Sequence, residues 1–473
     1  MPTPPPARTP VAIGSTGIPS DPPPLPCAHY DAGRCRSCTL LPVRTRTRIE
    51  ELQTELSQLL APFALAAPQD TASPAAPAPD APRPSRSASP WRAPVRSPEA
   101  GFRNKAKMVA GGTAETPTFG LLDEDGRGVD LSDCPLYPPP IHAVLTAMPA
   151  LIRRAQVAPY DVARRRGELK HVLVTAAPSG QVMVRFVLRT ERPVPRLAEH
   201  MSLLTDAVSS AGFEVRVVTA NLQPDHAAVL EGPTEVPITG DDALTVVQGR
   251  VPLRVLPQSF LQTNTVVASQ LYLQVATWVD EIAEARAGSA PAPGSRPATT
   301  GGAPQAPTPF TVWDLFCGVG GFALHCARPA GDASRRVIGV ETSAQAVASA
   351  TRTARQLGLA AEFTTADATG FATGFTAEAP PDALIVNPPR RGLGRDLAQW
   401  IEDSGIEDVV YSSCNPRTLA ADLAVMGSYR IVEARLLDMF PHTTHGEVVV
   451  RLVRTDAAPS PLSDAAATPR TGA

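Results

Sequence analysis

The sequence predicts an α/β protein in which a β-rich α+β domain precedes a domain built on a parallel sheet. Three observations carry this reading. Between residues 99 and 250, strand-like runs such as "HVLVTAA" and "VMVRFVLRT" are separated by turn residues, here "PSGQ". From 251 to 455, apolar strands alternate with helical stretches, the pattern of a sheet with crossover helices. The 52 prolines concentrate in tracts that separate these blocks.

Those tracts set the expected domain map of the 473 residues. Residues 1–25 read as a disordered tail, 66–98 as a disordered Pro/Ala insertion, 285–309 as a disordered loop and 456–473 as a second tail. The ordered blocks are then 26–65, 99–250 and 251–455. In the first, "RIEELQTELSQLLAPF" puts Ile49, Leu52, Leu56, Leu59 and Leu60 on one helical face. The start lacks the basic and apolar segments of a signal peptide, and no run of about 18 apolar residues occurs. A cytoplasmic, membrane-free and monomeric protein is expected. The net charge of −3 announces no bulk affinity for nucleic acid, so local basic patches would have to supply it.

Seven cysteines, an odd number, argue for reduced thiols, metal ligands or a nucleophile rather than disulfides. Three of them, Cys27, Cys35 and Cys38, fall within "CAHYDAGRCRSC". Clustered thiols suit a metal site, for which a fourth thiolate and a zinc ion would be one arrangement.

The last block carries the most legible chemistry. "TVWDLFCGVGGFALHCA" reads as a buried strand, a glycine loop at 318–321 and a helix, so the backbone can approach a ligand at a helix N-terminus. The next strand, "RVIGVE", ends in Glu341, placed to hold the two hydroxyls of a ribose. A third, "DALIVNPPRRG", runs into Asn387-Pro388-Pro389. The loop is not G-x-G-x-x-G, and D-x-F-x-G-x-G favours S-adenosylmethionine over NAD. The domain is therefore expected to be a Rossmann-like S-adenosylmethionine-dependent methyltransferase.

Enzymes that methylate exocyclic amines of bases follow N-P-P with an aromatic residue that stacks on the flipped base. Here Arg390 follows instead. The strand "EDVVYSS" then ends at Cys414 and turns at Asn415-Pro416 into a helix, whose positive end should favour a thiolate. A thiolate beside a methyl donor suits the C5 position of uracil, which is a poor nucleophile until something adds at C6. That chemistry needs a base to remove the C5 proton afterwards. Glu447, at the start of the last strand in "HTTHGEVVVRLV", is the candidate, with His442 and His445 as competitors and a solvated edge residue as the plain alternative.

"GFRNKAKM", "FLQTN", "DLFCGVGGF", "NPPRRG", "YSSCNP" and "HTTHGEV", with the cysteine-rich start, together resemble the RNA uracil-C5-methyltransferases over nearly the whole ordered chain. The resemblance implies Cys414 as nucleophile and Glu447 as base. It implies Gln262, Phe316, Glu341 and Asn387 as cofactor contacts, although sister enzymes carry aspartate at the Asn387 position. Phe260 is similar to the aromatic residue near the flipped base, with a core phenylalanine as the rival. Cys27, Cys35, Cys38 and Cys134 match the family's four ligands for a [4Fe–4S] cluster, and a proline follows Cys134. Cys317 and Cys326 are left as a loop and a helix residue. The implied partner is 23S ribosomal RNA, with the central 99–250 domain as the RNA-binding one. The basic clusters "RTRTR", "FRNKAK" and "YDVARRRGELK", with Arg390 and Arg391 near the active site, are the candidate phosphate contacts, a solvated charged face being the alternative for each. A zinc-ribbon RNA-binding module would explain the cysteines and leave Cys414 and Glu447 idle.

Overall fold

The computed structural model describes residues 21, 23–65, 89–227, 229–289, 308–375 and 380–455. The stretches expected to be disordered at 1–20, 66–88, 290–307 and 456–473 lie outside these residues. Among the described residues, no helix is long and apolar enough to cross a membrane.

The central domain is one seven-stranded sheet with helices on one face. Its strands are β1 (Lys105–Gly112), β2 (Pro117–Leu122), β3 (Gly128–Asp130), β4 (Leu169–Ala176), β5 (Gln181–Leu188), β6 (Glu214–Leu222) and β7 (Thr234–Pro237), in the order β3-β2-β1-β4-β5-β6-β7. The hairpin expected at "PSGQ" joins β4 to β5, with Ala176 opposite Val182 and Gly180 at φ 86°, where a side chain would be strained. Ile141, Val144, Leu145, Met148 and Ile152, spaced three and four apart, aim one face of the helix Pro139–Ala155 at Met108, Val172, Val184 and Phe186.

The second domain begins earlier than 251. β8 (Leu244–Gln248) and β9 (Val251–Val255) form a hairpin, so the expected boundary cuts through it. Leu244, Val246, Leu253 and Val255 pack with Leu271, Val275 and Trp278 of the helix Thr265–Ser289, which fixes the hairpin to this domain. That helix also carries residues 285–289 of the expected loop, and Arg286 bonds Asp382 at 2.8 Å.

The second sheet holds β10 (Phe310–Leu315), β11 (Arg335–Glu341), β12 (Ala361–Thr365), β13 (Ala383–Val386), β14 (Asp408–Ser413), β15 (Tyr429–Leu437) and β16 (Glu447–Arg454). Their order is β12-β11-β10-β13-β14-β16-β15. The first five are parallel, and β16 slots antiparallel between β14 and β15. Ligands to such sheets sit beyond the carboxyl ends of the parallel strands.

The N-terminal helix Thr45–Leu60 packs on this second domain. Ile49, Leu56 and Leu60 are buried with Leu423, Leu436 and Val448, while Leu52 is only partly buried against them. Arg48 makes a two-pronged pair with Asp438, at 2.6 and 3.0 Å, both side chains 1% exposed. "RTRTR" is therefore not a free basic patch: Arg44 bonds the Asp21 carbonyl and Arg46 pairs with Glu50.

The Pro/Ala insertion is also more ordered than expected at its C-terminal end. Residues 89–98 run along β15: the Arg92 and Val95 N–H groups donate to Ala434 and Leu436, and the Asp438 N–H donates back to Val95. An open sheet edge carries unpaired backbone groups, and this strap satisfies them.

Removing one member of a buried ion pair strands the other, at a cost of about 3–5 kcal/mol, whereas replacing both by apolar residues is close to neutral. Asp438→Ala is expected to lose stability on that scale in urea unfolding. Arg48→Met combined with Asp438→Leu should recover most of it. Equal stability of Asp438→Ala and the unmutated protein would remove the pair from its structural role.

Candidate active site and cysteine pocket

A cavity of about 600 Å³ opens at the carboxyl end of the parallel strands. Phe260, Gln262, Phe316, Glu341, Asn387, Cys414 and Glu447 all line it, so the candidates spread over nearly 190 residues of sequence meet in one place.

The loop after β10 forms one wall. Phe316 has φ 66°, a left-handed conformation that costs a phenylalanine on the order of 1–3 kcal/mol. That turn lets Gly318 direct its N–H to Glu341 at 3.2 Å. The Glu341 carboxylate also accepts from Thr342 Oγ1 and the Ser343 N–H, each at 2.9 Å. The side chain is thus fixed at the end of β11 with lone pairs remaining for vicinal hydroxyls. Beneath the loop, Asp314 accepts from the Ala323 N–H at 2.8 Å, and burial pushes its carboxyl up to about 8. The Gln262 carbonyl accepts from Asn104 Nδ2 at 3.0 Å and Gln248 Nε2 at 3.1 Å. Phe260 is 69% exposed, which overturns the core alternative.

The opposite wall carries the reactive pair. On the β14–β16 ladder Ser412 faces Val449 and Ser413 faces Val448, so Cys414, one residue past β14, and Glu447, the first residue of β16, stand where the next rung would fall. Residues on one antiparallel rung lie about 5 Å apart at Cα with side chains on the same face. Glu447 is 2% exposed and lies on a strand inside the sheet, so it is not a solvated edge residue. Burial pushes its carboxyl up to about 7, against a 2.6 Å hydrogen bond donated by Ser412 Oγ. His442 is spent elsewhere, its Nε2 2.8 Å from the Glu99 carbonyl, and His445 is exposed; neither lines the cavity.

The Cys414 thiol departs from expectation. It sits at the start of the helix Pro416–Val425, yet its pKa is raised: burial dominates, the Glu447 charge adds to it, and Arg390 opposes both. The helix end does not outweigh desolvation. Arg390 is held in place by its carbonyl, which accepts from Asn415 Nδ2 at 2.9 Å and Thr418 Oγ1 at 3.3 Å. Asp422 completes the clamp, accepting from the Leu393 N–H and Tyr411 Oη at 2.8 and 2.7 Å. Only glycine fits at 392, where φ is 82° and a Cβ would stand 2.6 Å from Asp422.

Two lining residues, Asp367 and Phe440, escaped the sequence reading. Asp367 follows β12 and caps the helix Ala368–Gly374, accepting from Gly370 N–H at 2.9 Å. An acid directly after a parallel strand was the available signal, the same one that marked Glu341. Phe440 stands on an irregular turn and gave no pattern.

Cys27, Cys35, Cys38 and Cys134 share a second, narrow cavity walled by Leu25, Leu41, Leu131 and Leu136. All four are half-buried. Burial and the other three cysteines push Cys38 up to about 12, and burial pushes Cys134 up to about 11. His29 Nε2 meets Asp133 at 2.5 Å and joins the two segments beside the thiols. Among the described residues, no three His, Cys, Asp or Glu groups converge tightly enough to hold one metal ion.

The family described as tRNA (Uracil-5-)-methyltransferase matches residues 378–455, and the Methyltransferase small domain matches 305–401. The chain is 41% identical over 430 residues to the 23S rRNA (uracil(747)-C(5))-methyltransferase RlmC of Cronobacter sakazakii, covering 90% of this chain and 99% of that protein. It is 40% identical to the protein of the same name from Citrobacter koseri, covering 91% and 100%. The solved structure of Pyrococcus abyssi tRNA (uracil-54, C5)-methyltransferase with S-adenosyl-L-homocysteine shares the fold, with TM-score 0.62, 21% identity and coverage of 88% and 85%. The identity and its span show that this chain belongs to the 23S rRNA (uracil(747)-C(5))-methyltransferase family.

Proposed function

We propose that the protein transfers a methyl group from S-adenosylmethionine to C5 of a uridine in 23S ribosomal RNA, of the 747 type, through a covalent bond between Cys414 and C6. One observation carries this reading: a thiol and a buried carboxyl stand side by side just beyond the last pair of the β14–β16 ladder, inside the cavity that Glu341 and Gly318 also line. The residues fit the methyl donor. Glu341 suits its ribose, and Gln262, Phe316 and Asn387 line the same cavity.

When bound, S-adenosylmethionine supplies a methyl group on an electron-poor sulfur. Cys414 Sγ, once deprotonated, adds to C6 and places an electron pair on C5. The C5 electron pair attacks the methyl carbon, the sulfur–methyl bond breaks with its electrons left on sulfur, S-adenosylhomocysteine departs, and C5 then carries both the methyl group and the original hydrogen. Glu447 removes that hydrogen as a proton, the C5–C6 double bond re-forms, and the thiolate leaves. Arg390 favours the anionic sulfur at the start and the end. Phe260, exposed at the rim, offers a face for an extruded base.

Cys414→Ala is expected to abolish methyl transfer from labelled S-adenosylmethionine to 23S RNA while cofactor binding persists. Glu447→Gln should stall after methylation and leave RNA attached through Cys414, seen as a band resistant to denaturant. Turnover by Cys414→Ala, or free product at the normal rate from Glu447→Gln, would overturn the mechanism.

The raised pKa of Glu447 also makes predictions about pH. Its base form is the ionised one, so turnover should climb as pH rises through about 7. Stability should move the other way. The folded-state pKa, about 7, lies above the 4.5 of an unfolded chain, so the stability Glu447 contributes is fully present below about 4, falls as pH rises from there to about 7, and is lost above 7. Glu447→Gln should therefore raise the thermal midpoint at pH 8, by at most about 3 kcal/mol of stability, and leave it nearly unchanged at pH 4. A Glu447→Gln enzyme no more stable than the unmutated one at pH 8 would count against a buried, strained carboxyl.

We further propose that Cys27, Cys35, Cys38 and Cys134 hold a [4Fe–4S] cluster. Four thiols around one apolar cavity suit iron–sulfur chemistry, and the cavity brings Cys134 to the three N-terminal cysteines. When bound, the cluster supplies a crosslink between the N-terminal segment and the loop at 131–136; the methyl transfer requires no electron from it. Anaerobically purified protein should carry about four irons and four sulfides per chain. Cys134→Ser should lose them, and stoichiometric zinc without sulfide would exclude the cluster.

A further inference from the structure

One face of the central sheet carries charge that the fold leaves unanswered. Register determines which residues share it. Lys107 pairs with Leu173, Leu173 with Arg185, and Arg185 with Thr219. In the neighbouring rows Val109 pairs with His171, and Lys105 with Thr175. The residues that alternate with these, Ala106, Met108, Val172, Val174, Val184 and Phe186, all lie in the helix-covered core. The first set therefore occupies the opposite face.

The charges on that face divide into two groups. Toward β6 and β7, Arg185 is 1% exposed and fully answered, with Glu231 at 2.9 Å and Glu235 at 2.7 and 2.8 Å. Toward the middle of the sheet, Lys105 is half-buried and Lys107 exposed, two residues apart on β1. Neither ammonium has an ion pair or hydrogen bond among the described residues. Burial, with Arg185 and Lys107 adding like charge and the Glu231 carboxylate only partly offsetting them, pushes the Lys105 ammonium down to about 8. His171 beside them is held neutral, down to about 4, by burial and Lys170. A half-buried cation crowded by other cations is a group that an anion would stabilise.

Position tells which anion. Asn104, one residue before Lys105, donates its N–H to the Thr263 carbonyl at 2.8 Å and its Nδ2 to the Gln262 carbonyl. Gln262 and Phe260 line the cavity of Cys414, so the lysine strip starts at the edge of that cavity. The other basic clusters are worse placed: Arg48 is buried against Asp438, and Arg164 is paired with Asp161. Successive same-face residues on a strand lie about 7 Å apart, comparable with neighbouring phosphates of an extended single strand.

We propose that Lys105 and Lys107 form a phosphate-binding strip that guides the RNA backbone across β1 to the target uridine. The inference rests on the RNA-methyltransferase reading above and assigns it a binding path. Binding of a 23S RNA fragment and its methylation would be measured from low to moderate salt for Lys107→Glu, Lys105→Gln and Lys105→Arg. Removing each lysine charge should reduce the slope of log K against log salt by about 0.7. Lys107→Glu should raise KM for RNA at least tenfold with S-adenosylmethionine affinity unchanged, and Lys105→Arg should restore what Lys105→Gln loses. Lys107 is exposed, so its variant tests the strip even where Lys105→Gln fails to fold. Unchanged salt slope and KM in Lys107→Glu would overturn the strip. If the unmutated enzyme transfers no methyl group to RNA, the functional reading fails instead, and RNA binding by these variants still decides the strip.

Discussion

The register between β14 and β16 is the constraint on which the chemistry depends. Because side chains alternate along a strand, a slip of one residue would send Glu447 to the other face of the sheet and leave Cys414 without its partner. The fold guards this ladder from several directions. β15 holds the far side of β16, with Leu437 opposite Glu447. The strap at 89–98 then covers the outer edge of β15. Behind them the N-terminal helix packs Ile49 and Leu56 near Leu436 and Val448. Asp438, one residue past β15, is locked by Arg48 and by the carbonyl of Val95. The N-terminal helix and a stretch expected to belong to a disordered insertion thus brace the reactive pair.

The cysteine pocket connects to the active site through the backbone. Cys134 lies two residues before Leu136, whose carbonyl accepts from the Arg103 N–H at 2.9 Å. The next residue, Asn104, holds the carbonyls of Gln262 and Thr263. On the other side, the Leu40 N–H, two residues after Cys38, donates to the His442 carbonyl, on the turn that leads into Glu447. A crosslink among the four cysteines would therefore tie together the two segments that present Gln262 and Glu447 to the cavity. A metal group bound there, as proposed, would then have a positioning role that needs no electron-transfer step.

What the sequence revealed follows from how local each signal is. The glycine loop, Glu341 and Asn387 were legible because each sits at the end of a parallel strand, where a short apolar run and the residue after it specify the place. Cys414 was legible by the same rule. Its acidity was not: a helix N-terminus can be read from "CNP", whereas the burial and the Glu447 charge that outweigh it depend on neighbours that only the fold brings to the thiol. The boundary at 250 failed because turn residues mark a hairpin as readily as a linker, and only packing of Leu244 and Leu253 on the helix at 265–289 decides between them. The order at 89–98 is tertiary: proline-rich chain can serve as an edge strap when the strand beside it leaves donors and acceptors open.

The electrostatics of the reactive rung then bear on the order of events. Burial raises both the Cys414 thiol and the Glu447 carboxyl, and the negative charge of Glu447 raises the thiol further. Two anions on one buried rung oppose each other, so the empty site favours at least one bound proton. Arg390 offsets part of this through its contact with the sulfur, and its backbone is clamped by Asn415 and Thr418 so that it cannot drift. Under the proposed reading, a sulfonium bound in the same cavity would add positive charge and favour the ionised form of both groups, so the residues that raise the thiol would leave its ionisation sensitive to the methyl donor.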